Sequence, residues 1–325
     1  MFQNRYIKLF IILLCIIAIS IGGILLYKEQ NKKNISGNTE NSRMIEYNGK
    51  KYEPKNNIET ILLMGLDKYD QPKDENAYLN DQQSDLMMLM VLDYDKKTCS
   101  LIHINRDTMT EIKRLGVTGD VADTFEGQIC LAHTYGSGDA DSNYNAIDAV
   151  EGLFNNMIKI DHYISMTMEG VGILNDAVGG VNVNITEDMT SINPSMVNGS
   201  NVTLTGDEAL AYVRARSDVG DGSNLSRMER QKQYMYGFIE KLKESIENDS
   251  DFLSNSMMKI NEYMKSDISI NGFDELADKL ENLKVQPIED IEGTAEMGEE
   301  FIEYYVDENK LKEKTLKYFY EEVKK

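Results

Sequence analysis

The sequence predicts an α/β domain with a mixed, largely antiparallel central sheet flanked by helices, preceded by one membrane-spanning helix. Three observations lead there. Residues 9–27 (LFIILLCIIAISIGGILLY) carry no charge. Two runs, 58–66 (IETILLMGL) and 84–92 (SDLMMLMVL), are almost continuously apolar, as strands buried on both faces are. Further along, stretches of helical periodicity alternate with short strand-like segments, the pattern of helices laid over a sheet.

At ~1.5 Å per residue the uncharged run covers about 28 Å, close to the ~30 Å hydrocarbon core of a bilayer. It is longer than the apolar region of a cleavable leader, and no small-x-small site follows, so it reads as a retained anchor. Leu14 precedes Cys15 where lipidation needs a small residue. Arg5 and Lys8 flank one end of the span and Lys28, Lys32 and Lys33 the other, so positive charge alone does not orient it. Long domains translocate largely regardless of charge, and the N-terminal stub is short. The expected layout is a cytoplasmic stub 1–8, a transmembrane helix 9–27, a linker 28–44 and an extracytoplasmic domain 45–325, single-pass on the cell membrane.

The chain of 325 residues has a formal charge of −21, and residues 29–325 alone carry 31 basic against 55 acidic residues. Such a balance repels phosphate backbones, so nucleic acid is not expected as a partner, and any cluster of arginines calls for a local explanation. Cys99 and Cys130 fit neither a CxxC motif nor a zinc knuckle. They read as buried thiols, with pairing left open. His103, His133 and His162 show no metal-ligand spacing and receive no role.

Asn48-Gly49 between alternating residues signals a hairpin at the start of the domain. Strands are predicted at 58–66, 84–92 and 97–105, and the DYDKK link between the second and third is too short for a parallel crossover. An antiparallel meander places the end of the first strand, the start of the second and the end of the third at one edge. Those points are Asp67, Asp85 and Arg106-Asp107. Downstream, 143–158 is predicted helical, 162–168 a strand, 169–178 a helix stopped by Gly179-Gly180, and VNVN a short strand. Thr205-Gly-Asp-Glu208 has capping-box form and opens a helix expected to end near Tyr212. A longer helix is predicted over about 225–247, and 251–325 reads as further helices.

An Asp at a strand end often only caps a turn. Two carboxylates and an arginine at one sheet edge can instead hold a hard cation beside a phosphate, and magnesium suits this best, since it takes one or two protein carboxylates. A second group is basic. Arg214 and Arg216 share a face only if the chain there is extended, and Arg227, Arg230 and Gln231 follow at helical spacing. Arginine binds phosphate oxygens bidentately, so converging arginines suit a pyrophosphate; ion pairing with the surplus acids is the alternative, as plausible as function for Arg230.

Seven segments carry a resemblance: ILLMGLD, SDLMML, HINRDT, LAHTYGSGD, DAVGGVNV, LTGDEALAYVRAR and SRMERQKQ. In order and spacing they resemble the LytR-CpsA-Psr domain over about residues 58–245, and the preceding membrane span is that family's usual layout. The resemblance implies an α/β domain that transfers a phosphoglycan (teichoic acid, capsule or another secondary wall polymer) from polyprenyl pyrophosphate to a peptidoglycan hydroxyl. It implies Mg2+ (with Mn2+ as a substitute) on Asp67 and Asp85. It matches Arg106 to the arginine of an RDT motif, and Arg214, Arg216, Arg227 and Gln231 to pyrophosphate-contacting positions. Three residues depart from the family pattern: Gln83 stands for an arginine, Asn105 for a proline, and Asn224 for an acid.

The expected activity is thus that of a Mg-dependent phosphotransferase joining glycopolymer to peptidoglycan. Asp85 is the first candidate for proton acceptor and Asp107 its rival. A polyprenyl-pyrophosphate phosphohydrolase and a non-enzymatic envelope regulator of the attenuator type are the alternatives. Ile164, Met166 and Met168 on one strand, and Met87, Met88 and Met90 on another, read as ordinary core, with a channel for the isoprenoid as the alternative.

Overall fold

The computed structural model describes residues 44–67, 82–215, 219–220, 222–249, 252–269 and 282–323, with 272, 275–276 and 279–280. The predicted stub, span and linker up to residue 43 lie outside the described residues, as does Arg216. Among the described residues no helix is long and apolar enough to cross a membrane.

Asn48 and Gly49 both take positive φ, +52° and +73°, as a primed two-residue turn requires. They join β1 (Ile45–Tyr47) to β2 (Lys50–Pro54) with Tyr47 opposite Lys50. The other edge of β2 pairs with β16 (Tyr320–Glu322), so the end of the domain is tied to its beginning.

The meander forms as its short link implies. β3 (Ile58–Leu66), β4 (Ser84–Asp93) and β5 (Thr98–Ile104) are antiparallel neighbours, with Leu62 opposite Leu89 and Leu89 opposite Ile102. The sheet then becomes mixed. β8 (His162–Thr167) lies parallel to β3, β11 (Met264–Ser266) antiparallel to β8, and the short β12 (Lys284–Val285) and β13 (Glu289–Asp290) parallel to β5, making seven strands.

Strand alternation divides the core between two faces. Ile61, Leu63, Met88 and Met90 point to one face, under α3 (Met168–Ala177), α4 (Gly206–Arg214) and α5 (Asn224–Asn248), which add Leu174, Tyr212, Tyr234 and Phe238. Leu62, Met64, Met87 and Leu89 point to the other, under α2 (Asp139–Leu153) and α7 (Glu308–Phe319), which add Val150, Leu153, Leu311 and Phe319. At about 1.5–3 kcal/mol for each fully buried large side chain, these faces supply the main driving force for the three-layer arrangement. Met87 therefore does not share a lining with Met88 and Met90, because neighbours on a strand face opposite ways. Ile164 and Met166 pack in the first cluster as core.

Three expectations are corrected. Residues 251–325 are not all helical: after α6 (Phe252–Ile260) come β11 to β13, then the hairpin of β14 (Gly293–Met297) and β15 (Ile302–Val306). Alternation in IEYYV outweighs the helical look of the acidic segment around it. The helix expected at 143–158 starts at Asp139 and ends at Leu153, where Asn155 and Asn156 both take positive φ and break it. The capping box at Thr205 and Glu208 forms, but α4 continues to Arg214, so that arginine sits on a last helical turn and not on extended chain. A further hairpin, β6 (Met109–Leu115) with β7 (Val121–Gln128), leads into the short helix α1 (Leu131–Thr134), and the predicted VNVN strand forms as β9 (Val181–Asn184), antiparallel to β10 (Asn201–Leu204).

Candidate functional site

The β3–β4 pairing ends in an irregularity at Gly65/Leu66, and Asp67 follows it, its N–H donating to the Gln83 carbonyl at 3.3 Å. That bond brings Asp67 beside Asp85, the second residue of β4. Ile104, which ends β5, is opposite Met87, so the next turn of chain delivers Arg106 to the same edge.

Residues 105–108 form a tight turn. The Asn105 carbonyl accepts from Thr108 N–H at 3.0 Å and Thr108 Oγ1 at 2.6 Å, while Asn105 Oδ1 accepts from Asp107 N–H at 2.9 Å. This Asx-type bond supplies, from a side chain, the local rigidity that a proline would supply from its ring. Arg106 Nη1 donates to Asp85 Oδ1 and its Nη2 to Gln83 Oε1; Cys130 Sγ lies 2.9 Å from Nη2, and Asp107 Oδ1 is 3.7 Å from Nε. Gln83, which stands where the family pattern has an arginine, thus accepts from Arg106. Burial disfavours the Arg106 cation, yet Cys130, Asp85 and Asp107 outweigh it and raise its pKa. Burial also pushes the Cys130 thiol up to about 11, against the pull of Arg106, so it stays a neutral thiol.

Two further arginines arrive from the helical layer. Arg214 Nη2, in the last turn of α4, stands 2.8 Å from Asp67 Oδ1, and Arg227 Nη1, in the first turns of α5, stands 4.0 Å from Asp85 Oδ1. The Asp67 carboxyl has a raised pKa, first through burial and then through the neighbouring Asp85, with Arg214 and Arg106 opposing. The two carboxylates, three arginines and Gln83 make one continuous polar group. Its donor set, two carboxylates and no thiolate or imidazole, fits a hard cation that completes its shell with water and phosphate oxygens. Among the described residues no group of three or more His, Cys, Asp or Glu side chains that could hold a metal ion forms, here or elsewhere, so protein ligation at this edge is limited to the two carboxylates.

Other expected residues are held differently. Asp107 has no exposure, and its Oδ1 accepts from Gln128 Nε2 at 3.0 Å while its carbonyl accepts from Tyr304 N–H at 2.9 Å. It braces the turn. Arg230 is buried and donates to Glu187 Oε2 at 2.6 Å, Ser226 Oγ at 2.7 Å, and the carbonyls of Tyr212 and Ala215, which close the end of α4. Gln231 Nε2 donates to Val213 O at 3.3 Å. Arg230 and Gln231 therefore fix the helix end that presents Arg214. Cys130 and Gln128 join the site beyond the predicted residues; Cys130, expected as a buried thiol with pairing open, is buried and free, as is Cys99. The segment LAHTYGSGD directly follows Cys130 and was the available signal.

The chain is similar in sequence to named relatives and in fold to solved structures. A curated relative from Bacillus anthracis (strain CDC 684 / NRRL 3495), polyisoprenyl-teichoic acid--peptidoglycan teichoic acid transferase TagU, is 30% identical over 216 residues, 66% of this chain and 58% of its own length. The chain thus spans less than two thirds of that relative. Among solved structures, a transcriptional regulator from Enterococcus faecalis superposes with a TM-score of 0.59 at 23% identity, covering 80% of this chain and 85% of its own. TagV of B. subtilis superposes with a TM-score of 0.55 at 23% identity, covering 81% and 97%. The family model LytR_cpsA_psr matches residues 24–319, nearly the whole sequence, and the chain belongs to the LytR_cpsA_psr (LytR-CpsA-Psr) family.

Proposed function

We propose that this chain is a membrane-anchored phosphotransferase that moves a phosphoglycan from polyprenyl pyrophosphate to a peptidoglycan hydroxyl, with residues 9–27 as anchor and the domain from residue 45 outside the cytoplasm. The observation that carries the reading is the meeting of Asp67, Asp85, Arg106, Arg214 and Arg227 at one sheet edge in a strongly acidic chain. The name of the B. anthracis relative, which couples a polyisoprenyl-linked polymer to peptidoglycan, supports the substrate class.

Arg106 and Arg227 are nearly buried and Arg214 is half-exposed, so a pyrophosphate would meet Arg214 first and then exchange with the carboxylates for the deeper guanidinium groups. The ion pairs hold these groups in place beforehand, so little reorganisation remains at the moment of reaction. The acceptor oxygen forms a bond to the phosphorus nearer the glycan. The bond from that phosphorus to the bridging oxygen breaks, and its electron pair leaves with polyprenyl phosphate. The hydroxyl proton goes to a carboxylate, and Asp67 is the best placed: its side chain is 28% exposed, against 7% for Asp85 and 1% for Asp107. Magnesium, or manganese in its place, would be held by Asp67 and Asp85 and would supply neutralisation of the phosphate charge. Chemistry of this kind is mostly positioning and electrostatics and needs no Ser-His pair or reactive thiol.

The test is product analysis by mass spectrometry, using the full-length chain in detergent with lipid-linked glycan, with and without peptidoglycan. The expected products are polyprenyl phosphate and phosphodiester-linked glycan on peptidoglycan, formed only with the acceptor. Glycan phosphate released to water in its absence would make the chain a phosphohydrolase. No turnover in either arm would leave the envelope-regulator reading.

A further inference from the structure

Two of the three departures from the family pattern touch each other. Asn224 Nδ2 donates to Asn105 Oδ1 across 119 residues of sequence, and Arg227 Nη2 donates to Asn224 Oδ1. All three side chains are at least nine-tenths buried. We propose that Asn105 and Asn224 are positioning residues that lock the Arg227 guanidinium in register with the Arg106 turn, a role that rests on the phosphotransferase reading.

The direction of this relay is set at both ends. A main-chain N–H can only donate, so the atom of Asn105 that faces Asp107 N–H at 2.9 Å is its oxygen. A guanidinium also only donates, so the atom of Asn224 that faces Arg227 is its oxygen as well. Position 224 must therefore donate on one side and accept on the other, which an amide does. A carboxylate would put an acceptor against Asn105 Oδ1. Arg227 is 4% exposed, donates to the neutral oxygen of Asn224 and stands 4.0 Å from its ion-pair partner Asp85, so the relay fixes the guanidinium beside the carboxylates. Because Asn105 also holds the backbone turn that carries Arg106, the relay ties the two deep arginines together through hydrogen bonds and not through chain connectivity.

The experiment measures binding of a short-chain polyprenyl pyrophosphate to the full-length chain in detergent, in wild type, Asn224→Ala, Arg227→Ala and the double variant. Asn224→Ala should weaken binding about tenfold, the loss of one charge-assisted hydrogen bond, and should add nothing in the Arg227→Ala background. A residue that merely supports the fold would weaken both backgrounds alike. Asn224→Asp, isosteric with the native residue, gives a second route if the alanine variant does not fold, and should also bind more weakly. Native affinity in both Asn224 variants, or an undiminished loss without Arg227, overturns the proposal. The Nη resonances of Arg227 in 15N-detected NMR give a readout that needs no ligand: slow guanidinium rotation in wild type should become fast in Asn224→Ala. If wild type binds no polyprenyl pyrophosphate, the phosphotransferase reading fails by itself. Equal rotation in the two proteins would then overturn the positioning role separately.

Discussion

Arg214 Nη2 stands 2.8 Å from Asp67 Oδ1 on a half-exposed helix end, while Arg230, buried one helix further on, spends its guanidinium on that same helix end. The two arginines should therefore respond oppositely to replacement. Arg214→Ala should cost under about 1 kcal/mol of stability, as an exposed ion pair does, and remove most ligand binding. Arg230→Ala should cost about 3 kcal/mol, because Glu187 and two carbonyls lose a buried donor. Urea unfolding beside ligand titration separates the two.

Asp67 and Asp85 face each other in the ligand-free site. Burial and Asp85 raise the Asp67 pKa, so the folded state holds its proton more tightly than the unfolded chain does, and ionisation costs stability as pH rises through that range. Asp67→Asn should raise the thermal midpoint near neutral pH and give no gain near pH ~3, where the native acid is protonated. Activity should move the other way. Either Asn substitution is expected to lose magnesium dependence and most turnover while the domain stays folded; a near-native magnesium-dependent rate in both variants would sink the assignment.

His103 is fully buried beside Lys232 and Arg227, and burial first, then those cations, push its pKa down to about 3. The unfolded imidazole titrates near ~6.5, so the unfolded chain binds the extra proton and stability falls with pH below that value. Between pH 7 and pH 5 this group should account for about 2 kcal/mol of lost stability. His103→Gln should flatten that slope. An unchanged pH dependence in urea unfolding would assign the slope to other groups.

β1 begins at Ile45 and pairs with β2, which in turn holds β16. A truncated chain beginning at Ile45 should therefore remain folded, soluble and monomeric by light scattering, whereas one beginning after Pro54 should lose β16 from its place and melt earlier. Aggregation of the Ile45 form at neutral pH would mean that the N-terminal segment contributes to the core.

Much of the site was legible because it depends on strand polarity. Once 58–66, 84–92 and 97–105 are antiparallel, Asp67, Asp85 and Arg106 must share an edge, whatever the rest of the chain does. Arg227 and Arg230 could not be told apart in the same way, since both lie on one helix and only the docking of α5 against α4 decides which guanidinium meets carbonyls and which meets Asp85. The Asn105–Asn224 contact depends on that docking too. The β6–β7 hairpin escaped notice because residues 121–124 are exposed and polar in part, leaving no apolar alternation to read. β14 is exposed throughout and failed for the same reason.

The central claim is that Arg106, Arg214 and Arg227 act with Asp67 and Asp85 as one pyrophosphate site. Its most direct test is the affinity of a short-chain polyprenyl pyrophosphate for Arg106→Ala, Arg214→Ala and the double variant. Each single change should cost about 1–3 kcal/mol of binding, and the double should fall well short of the summed penalties, because both arginines hold the same group. Strict additivity, or native affinity in Arg106→Ala, would contradict the account and reduce Arg106 to a structural partner of Asp85.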